Sequence, residues 1–427
     1  MSVQHLLRGG IKRTLGMRAE TVLERRLPDL PASLSRLDGL GLYLHIPFCR
    51  QICPYCPYNK ELFHPDTAMR YVAAVQKEVD LYAPLVRDMP ITSFYIGGGT
   101  PTSMLHHGLP AILEHIQRRF NVQCGMHLES HPNDLTTDNL RAIRAMGVQY
   151  LSTGVEALQD HHLRRLQRPY TAAQACQALQ RAVDAGFDCV NADLIFALPG
   201  QTDAELRQSA EQLIALGVDQ VAAYPLFCFP YTQVDQLWTG QRRPTLWQKR
   251  HLLAILERAF YDAGYERTSV WAFTRKGVDK YCSVTVPLYI GLGASAATYL
   301  RDVFYLNTFN VAAYVESLEH GSLPIALSLA LDERMQMAGW LYWRTYETHF
   351  RKADFYARFG RRYDDVYGRA TGALARCGLL EQNGDEVVLN DCGAYWLHVL
   401  QDLFSIDYVS RLWGTSRDDP WPERVVL

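Results

Sequence analysis

No uncharged apolar run in the chain is long enough to span a bilayer, which excludes a protein anchored by transmembrane helices. The N-terminal stretch MSVQHLLRGGIKRTLGMRAE is basic, yet it has no long apolar core and no small-residue cleavage site, so it does not read as a secretion signal. Charge of one sign is also missing. A formal net charge of -2 argues against a nucleic-acid protein driven by bulk electrostatics. The phosphate-loop signature GxxxxGK is absent, which removes the nucleotide triphosphatases. No second CxxC pair exists to complete a paired zinc knuckle. What remains is ordinary for a globular enzyme of two or three domains: 427 residues, 48% apolar and 21% charged.

Cysteine is scarce and uneven. Of ten, seven are scattered singly (Cys124, Cys176, Cys189, Cys228, Cys282, Cys377, Cys392), and they read as small buried apolar residues. The other three, Cys49, Cys53 and Cys56, share one short run, HIPFCRQICPYCPYNK. Three thiolates on one loop can cap one face of a cubane iron–sulfur cluster and leave its fourth iron open to a ligand. A zinc site completed by His45 or His64 is the alternative, and a disulfide with a spare thiol is a more remote one. Free thiols and an oxygen-sensitive cluster fit a reducing cytoplasm.

From residue 41 the pattern alternates strand and helix. Strands are predicted at 41–46, 91–96, 126–130, 150–155, 189–198 and 220–226, with helices between them. Six such units in series require right-handed crossovers and a parallel sheet curled into a barrel or part of one. Ligands then bind at the carboxyl ends of the strands. Cys49, Cys53 and Cys56 follow the first strand, GGGTPT follows the second, and Glu129 ends the third. Glu156 lies just past the fourth strand and Asp193 inside the fifth, so the chemistry-bearing residues collect on one rim. Residues 1–40 read as an N-terminal arm. From Asp332 the chain reads as helical, with a hairpin around Asn383-Gly384, which suggests a winged-helix-like module acting as a lid. His161 and His162 are expected only to cap or pack.

The blocks YLHIPFCRQICPYCPYNK, FYIGGGTPT, GVEALQDHHLRRLQR and NADLIFALPGQT occur in that order. Together they resemble the radical S-adenosylmethionine (SAM) superfamily, and within it the oxygen-independent coproporphyrinogen III oxidase-like family. The resemblance covers roughly residues 41–300. It implies an α/β fold: a partial (β/α)6 TIM-like barrel at 41–300 with a mainly helical, winged-helix-like C-terminal domain at 301–427. It also implies that Cys49, Cys53 and Cys56 ligate a [4Fe–4S] cluster, whose open iron binds SAM. Reductive cleavage of SAM would then give a 5′-deoxyadenosyl radical. By position in the motifs, Tyr43 would sit near the sulfonium and Tyr55 against the adenine. Gly98, Gly99 and Thr100 would contact the amino group, and Glu129 would be a SAM-binding carboxylate. Glu156, Arg168 and Asp193 would complete the polar set, with Phe227 and Ala297 as backbone or apolar contacts. Tyr43 and Glu156 are the candidate catalytic residues.

The chain departs from the porphyrinogen oxidases in two places. Their further cysteine is Tyr58 here, and their glutamine is Glu156. The resemblance therefore leaves three activities open. They are radical chemistry on a tetrapyrrole-like or other conjugated small molecule, C-methylation or cyclopropanation using two SAM molecules, and haem chaperoning. The expected partners are a small-molecule substrate and an electron donor such as flavodoxin or ferredoxin, with no nucleic acid, no membrane span and a monomeric chain.

Overall fold

The structure, a computed structural model, describes residues 20–281 and 287–427. The helical spacing of Leu6, Leu7, Ile11 and Leu15, and the position of Cys282, lie outside the described residues.

The chain enters through β1 (Val22–Glu24) and a short helix, α1 (Leu30–Leu34). The strand–helix series then runs β2 (Leu40–Ile46), α2 (Pro65–Val86), β3 (Pro90–Gly98) and α3 (Leu109–Arg119). It continues through β4 (Met126–Ser130), α4 (Thr137–Ala145), β5 (Val148–Glu156), α5 (Asp160–Arg165) and α6 (Ala172–Asp184). The series closes with β6 (Cys189–Phe196), α7 (Asp203–Ala215), β7 (Gln220–Pro225) and α8 (Leu246–Asp262).

The helix starts are set by side chains that satisfy otherwise unpaired backbone N–H groups. Thr171, Thr202 and Thr245 each form a capping box with the residue three positions on, opening α6, α7 and α8. Gly186, at φ +72°, ends the turn after α6 in the left-handed conformation that a side chain resists. The strands are buried on nearly every residue, as parallel strands covered on both faces must be.

Strands β2 to β7 pair in sequence order, every pair parallel. A further parallel strand, β10, lies on the other side of β2. Two short strands precede it, β8 (Tyr265–Arg267) and β9 (Ala272–Arg275), which extend the sheet antiparallel beyond β7. Strand β10 (Tyr289–Leu292) comes from the glycine-rich stretch YIGLGASAATYL. From it the sheet continues antiparallel through β11 (Ala297–Tyr299), β12 (Val303–Asn307) and, after α9 (Val311–Glu319), β13 (Ile325–Ala330). Strand β1 pairs with β13, so the described part of the arm belongs to this sheet. The boundary expected at residue 300 falls between β11 and β12, which are hydrogen-bonded partners.

The remainder builds a small module around its own apolar core, which includes Trp340, Phe355, Tyr363 and Val387. It comprises α10 (Glu333–Tyr346), β14 (His349–Arg351), α11 (Lys352–Phe359) and α12 (Tyr363–Arg376), then the hairpin β15 (Leu380–Asn383) and β16 (Glu386–Leu389). Asn383 pairs with Glu386, so the turn residues are Gly384 and Asp385, one position on from the expected pair. Helix α13 (Asp391–Asp418) then runs back over the barrel, and β17 (Arg424–Val426) joins β1. Of the scattered cysteines, Cys189 is buried as expected, whereas Cys377 and Cys392 are exposed, at the end of α12 and the start of α13.

Glu78, on α2, ties the barrel to its extension. Its fully buried carboxyl group accepts hydrogen bonds from the Gly293 N–H at 2.8 Å, the Asn307 amide at 2.7 Å and the Tyr314 hydroxyl at 2.5 Å. Burial pushes its pKa up to about 7 against the pull of those three donors. The native state therefore holds this proton more tightly than the unfolded chain does. Stability should fall as pH rises from the ordinary glutamate range to about 7. Urea midpoints measured across that window should fall with pH in the native chain and flatten in Glu78→Gln. An equal slope in both would contradict the assignment.

Candidate active site

One cavity of about 720 Å³ opens at the carboxyl ends of the parallel strands. Its floor is the loop after β2, its walls are strand ends, and its roof is α10 and α13.

The cysteine loop is docked before it can hold anything. The Gly99 N–H donates to the Ile46 carbonyl at 2.7 Å, and the Thr100 N–H to the Phe48 carbonyl at 2.9 Å. A Cβ at Gly99 would lie 3.0 Å from the Ile46 oxygen and from the nitrogen and oxygen of Phe48. Glycine is needed there because two backbones meet. Gly98, at φ +117°, packs against the His45 ring, and its N–H donates to Glu129 Oε2 at 2.9 Å. The Gly98, Gly99 and Thr100 N–H groups are thus engaged by the protein itself, which leaves carbonyl oxygens and the Thr100 hydroxyl as the groups that could meet an amino group. All three residues still line the cavity.

Cys49, Cys53 and Cys56 all face the cavity. The Thr100 hydroxyl donates to Cys49 Sγ at 3.4 Å, and Arg168 Nη1 to Cys53 Sγ at 3.3 Å. Lys60 donates to the Cys56 carbonyl at 2.7 Å, closing the loop. Burial pushes the Cys49 thiol up to about 12, opposed by Thr100 and Lys60. The loop's outer side is fixed by the Arg50–Asp134 ion pair, and the Thr102 hydroxyl donates to Asp134 at 2.7 Å.

The donor set discriminates between the metals. His45 Nε2 donates to the Asn59 carbonyl at 3.0 Å, so its Nδ1 accepts from the Tyr43 hydroxyl at 2.8 Å. Both nitrogens are thus taken. His64 is exposed at the start of α2 and does not line the cavity. Four-coordinate zinc would bring its sulfurs to about 3.8 Å from one another. Among the described residues the cysteine sulfurs form no such cluster within 4.8 Å. Three thiols spread along one cavity wall, with no fourth ligand gathered to them among the described residues, fit a cubane cluster with one open iron.

Three carboxyl groups stand on successive strands facing these thiols: Glu129 (β4), Glu156 (end of β5) and Asp193 (β6). Burial raises the pKa of each. For Asp193, repulsion from Glu156 and Glu129 adds to the shift. Glu129 is pushed up to about 6 while the Tyr95 hydroxyl and the Gly98 N–H hold it down. Glu156 has φ +67°, a conformation uncommon outside glycine that re-aims its side chain where the strand ends. Asp193 accepts from Asn191 Nδ2 at 2.8 Å and from Ser152 Oγ at 3.4 Å.

Arg168 is the cation among them. Its side chain is 8% exposed and lies 4.0 Å from Glu156. Its Nη2 donates to the Gly154 carbonyl and its Nε to the Tyr170 hydroxyl, each at 2.7 Å. Tyr55 is buried, with its hydroxyl 3.5 Å from Arg168 Nη1. Phe227 lines the cavity, whereas Tyr43 and Ala297 do not. Tyr43 stacks on Tyr95, its register partner on β3, with ring centroids 6.1 Å apart.

The sequence reading missed Tyr95, Asp134 and the individual residues of the roof, though it expected a C-terminal lid. The acid in HPNDL, just after the third strand, was a usable signal for Asp134. Tyr342, Trp343, Tyr346, His398 and Trp413 supply an aromatic ceiling. Tyr58, where the porphyrinogen oxidases carry a further cysteine, meets Trp413 with ring centroids 6.2 Å apart.

Residues 43–213 match the model of the radical SAM superfamily. The haem chaperone HemW of Bacillus subtilis is 26% identical over 82% of this chain and 95% of its own length. The oxygen-independent coproporphyrinogen III oxidase of Bradyrhizobium diazoefficiens is 26% identical over 73% of each chain. Residues 43–213 are a radical SAM domain, and the chain is similar over most of its length to proteins of the coproporphyrinogen III oxidase-like branch. Coproporphyrinogen III oxidase (HemN) from Escherichia coli shares the fold, with a TM-score of 0.77 and 19% identity over 90% of this chain and 94% of that one. The expected partial barrel is therefore correct, with β10 as one more parallel strand. As radical SAM proteins do, this one calls for a [4Fe–4S] cluster and SAM. No described helix is long and apolar enough to cross a membrane.

Tyr95→Phe removes one of the two donors to buried Glu129. Leaving that acceptor short of a partner should cost about 1–3 kcal/mol in urea unfolding. Unchanged stability would show that the carboxyl group does not depend on Tyr95.

Proposed function

We propose that the chain is a radical SAM enzyme acting on a conjugated, flat small molecule of tetrapyrrole type. The observation that carries this reading is the division of one cavity into two chemical halves. Thiols, carboxyl groups and Arg168 line the strand ends, and aromatic rings line the roof. In this reading Cys49, Cys53 and Cys56 hold the cluster. Glu129, Glu156, Arg168 and Asp193 receive the charged and hydroxyl groups of SAM, with Tyr55 against its adenine. Tyr43 acts from behind, by fixing His45 under Gly98. When bound, the cluster and SAM supply one-electron scission of the sulfonium C–S bond to a carbon radical.

The chain's own residues do the rest. Arg168 and Thr100 hold the two sulfurs they contact in position. The roof, formed by α10 and α13, keeps water from the reacting centre. A flat π-system would stack against rings that line the cavity, among them Tyr58, Trp343 and Trp413, where offset stacking is favourable. The barrel thus holds the cofactors, and the C-terminal module closes over the substrate. The electron donor would be a flavodoxin or ferredoxin, the chain acts as a monomer, and the free thiols fit a reducing cytoplasm.

Haem binding is the second reading, favoured by the near full-length match to a haem chaperone. Two-SAM methyl transfer is the third, and one assay separates them. Anaerobically reconstituted protein given SAM and dithionite should release 5′-deoxyadenosine, and Cys53→Ala should abolish that release. Release that persists in the variant would refute the ligand assignment. S-adenosylhomocysteine beside the nucleoside would select methyl transfer. Stoichiometric haem uptake without 5′-deoxyadenosine would select the chaperone.

A further inference from the structure

A second donor cluster lies outside the cavity, between α5 and α7. His161 and His162 are adjacent on α5, and Glu205 stands in the first turn of α7. One donor atom from each lies within 4.8 Å of the other two. His161 Nε2 is 3.2 Å from Glu205 Oε1, and His162 Nε2 is 3.5 Å from Glu205 Oε2. Bonds of about 2.0–2.1 Å at tetrahedral angles would set neighbouring donors about 3.3 Å apart. The two spacings, each to a different oxygen of Glu205, lie near that figure.

The independent observation is His162 itself. Its side chain is 1% exposed, and neither ring nitrogen has a hydrogen-bond partner. A buried imidazole whose ring nitrogens make no hydrogen bond, with only a carboxylate at 3.5 Å, is a costly arrangement that native proteins seldom keep. Its Nε2 points at Glu205, into the cluster.

The carboxylate is already oriented. Glu205 Oε2 accepts from the Thr202 N–H at 2.8 Å and the Thr202 hydroxyl at 2.9 Å, the capping box of α7. That leaves Oε1 towards His161. Metal ligands held by outer hydrogen bonds in this way are the rule in built sites. His161 is 54% exposed, so the cluster opens to solvent on one side, leaving room for water in a fourth position.

We propose that His161, His162 and Glu205 bind one divalent transition-metal cation of the zinc class, completed by water. Two imidazoles and one carboxylate are a borderline donor set, suited to zinc rather than to magnesium or calcium. The ion staples α5 to α7. Just past α5 the Arg168 N–H donates to the Leu163 carbonyl at 2.8 Å, so the staple steadies the segment that carries Arg168 to the thiols. The inference stands apart from the reading of the cavity, because none of its three ligands lines that cavity.

The test uses full-length protein with its iron–sulfur cluster assembled, titrated with Zn²⁺ against a chromogenic chelator. The native chain should hold one zinc in addition to its iron. His161→Ala, at an exposed position, should weaken that binding at least about tenfold. Glu205→Gln should weaken it likewise while keeping the helix start, since glutamine also serves in a capping box. Zinc should raise the melting temperature of the native chain and leave that of both variants unmoved. X-ray absorption at the zinc edge should show nitrogen and oxygen neighbours near about 2.0 Å. Equal zinc binding in the native chain and both variants would overturn the proposal, as would sulfur neighbours near about 2.3 Å.

Discussion

Everything at the carboxyl end of the barrel rests on the contact between Gly99 and the backbone of Ile46–Phe48. Two loops from neighbouring parallel strands must lie close enough there to share hydrogen bonds. No side chain larger than hydrogen leaves that room. Once the loops are joined, the three thiols stand on one wall with their backbone already satisfied. The loop's charges are answered from three directions: Arg168 from beyond β5, Lys60 from the loop itself, and Asp134 from beyond β4. The cysteine loop is therefore prepared by its surroundings, as a site needing fixed geometry requires.

The acids obey a related logic. Glu129, Glu156 and Asp193 stand on adjacent strands because parallel register carries each strand end to the same rim. Burial and mutual repulsion keep their proton affinities high until something positive or hydrogen-bonding arrives. Arg168 offsets Glu156 in part, and it is also engaged with Cys53, Gly154 and Tyr170. The arrangement suits a zwitterionic, hydroxyl-bearing guest. The aromatic roof opposite suits a second, apolar one.

Much of this was legible in the residues. Strand β4 was read to its ends because its apolar run is bounded by turn residues, and α4 because Thr136 caps it. Strand β10 escaped because its four residues, YIGL, open a stretch broken by glycine and alanine, and its place beside β2 is a long-range pairing. Helix α13 falls in the part read as helical, but its bounds were not legible, for a different reason. It meets the barrel, the small module and the cavity on different sides, so its apolar residues follow no single helical face. The places expected for Tyr43 and Ala297 came from motif position; neither residue lines the cavity, and Tyr43 stands beside its register partner Tyr95, which does. The histidine pair was passed over because a buried, unpartnered imidazole is visible only in three dimensions.

The central claim is that three thiols hold a cluster whose remaining iron is open to SAM. Mössbauer spectroscopy of the anaerobically reconstituted protein, with and without SAM, tests it most directly. The account predicts one iron site distinct from the rest, whose isomer shift moves when SAM is added. A cluster whose irons are all alike and indifferent to SAM would contradict it, as would protein that takes up no iron and sulfide.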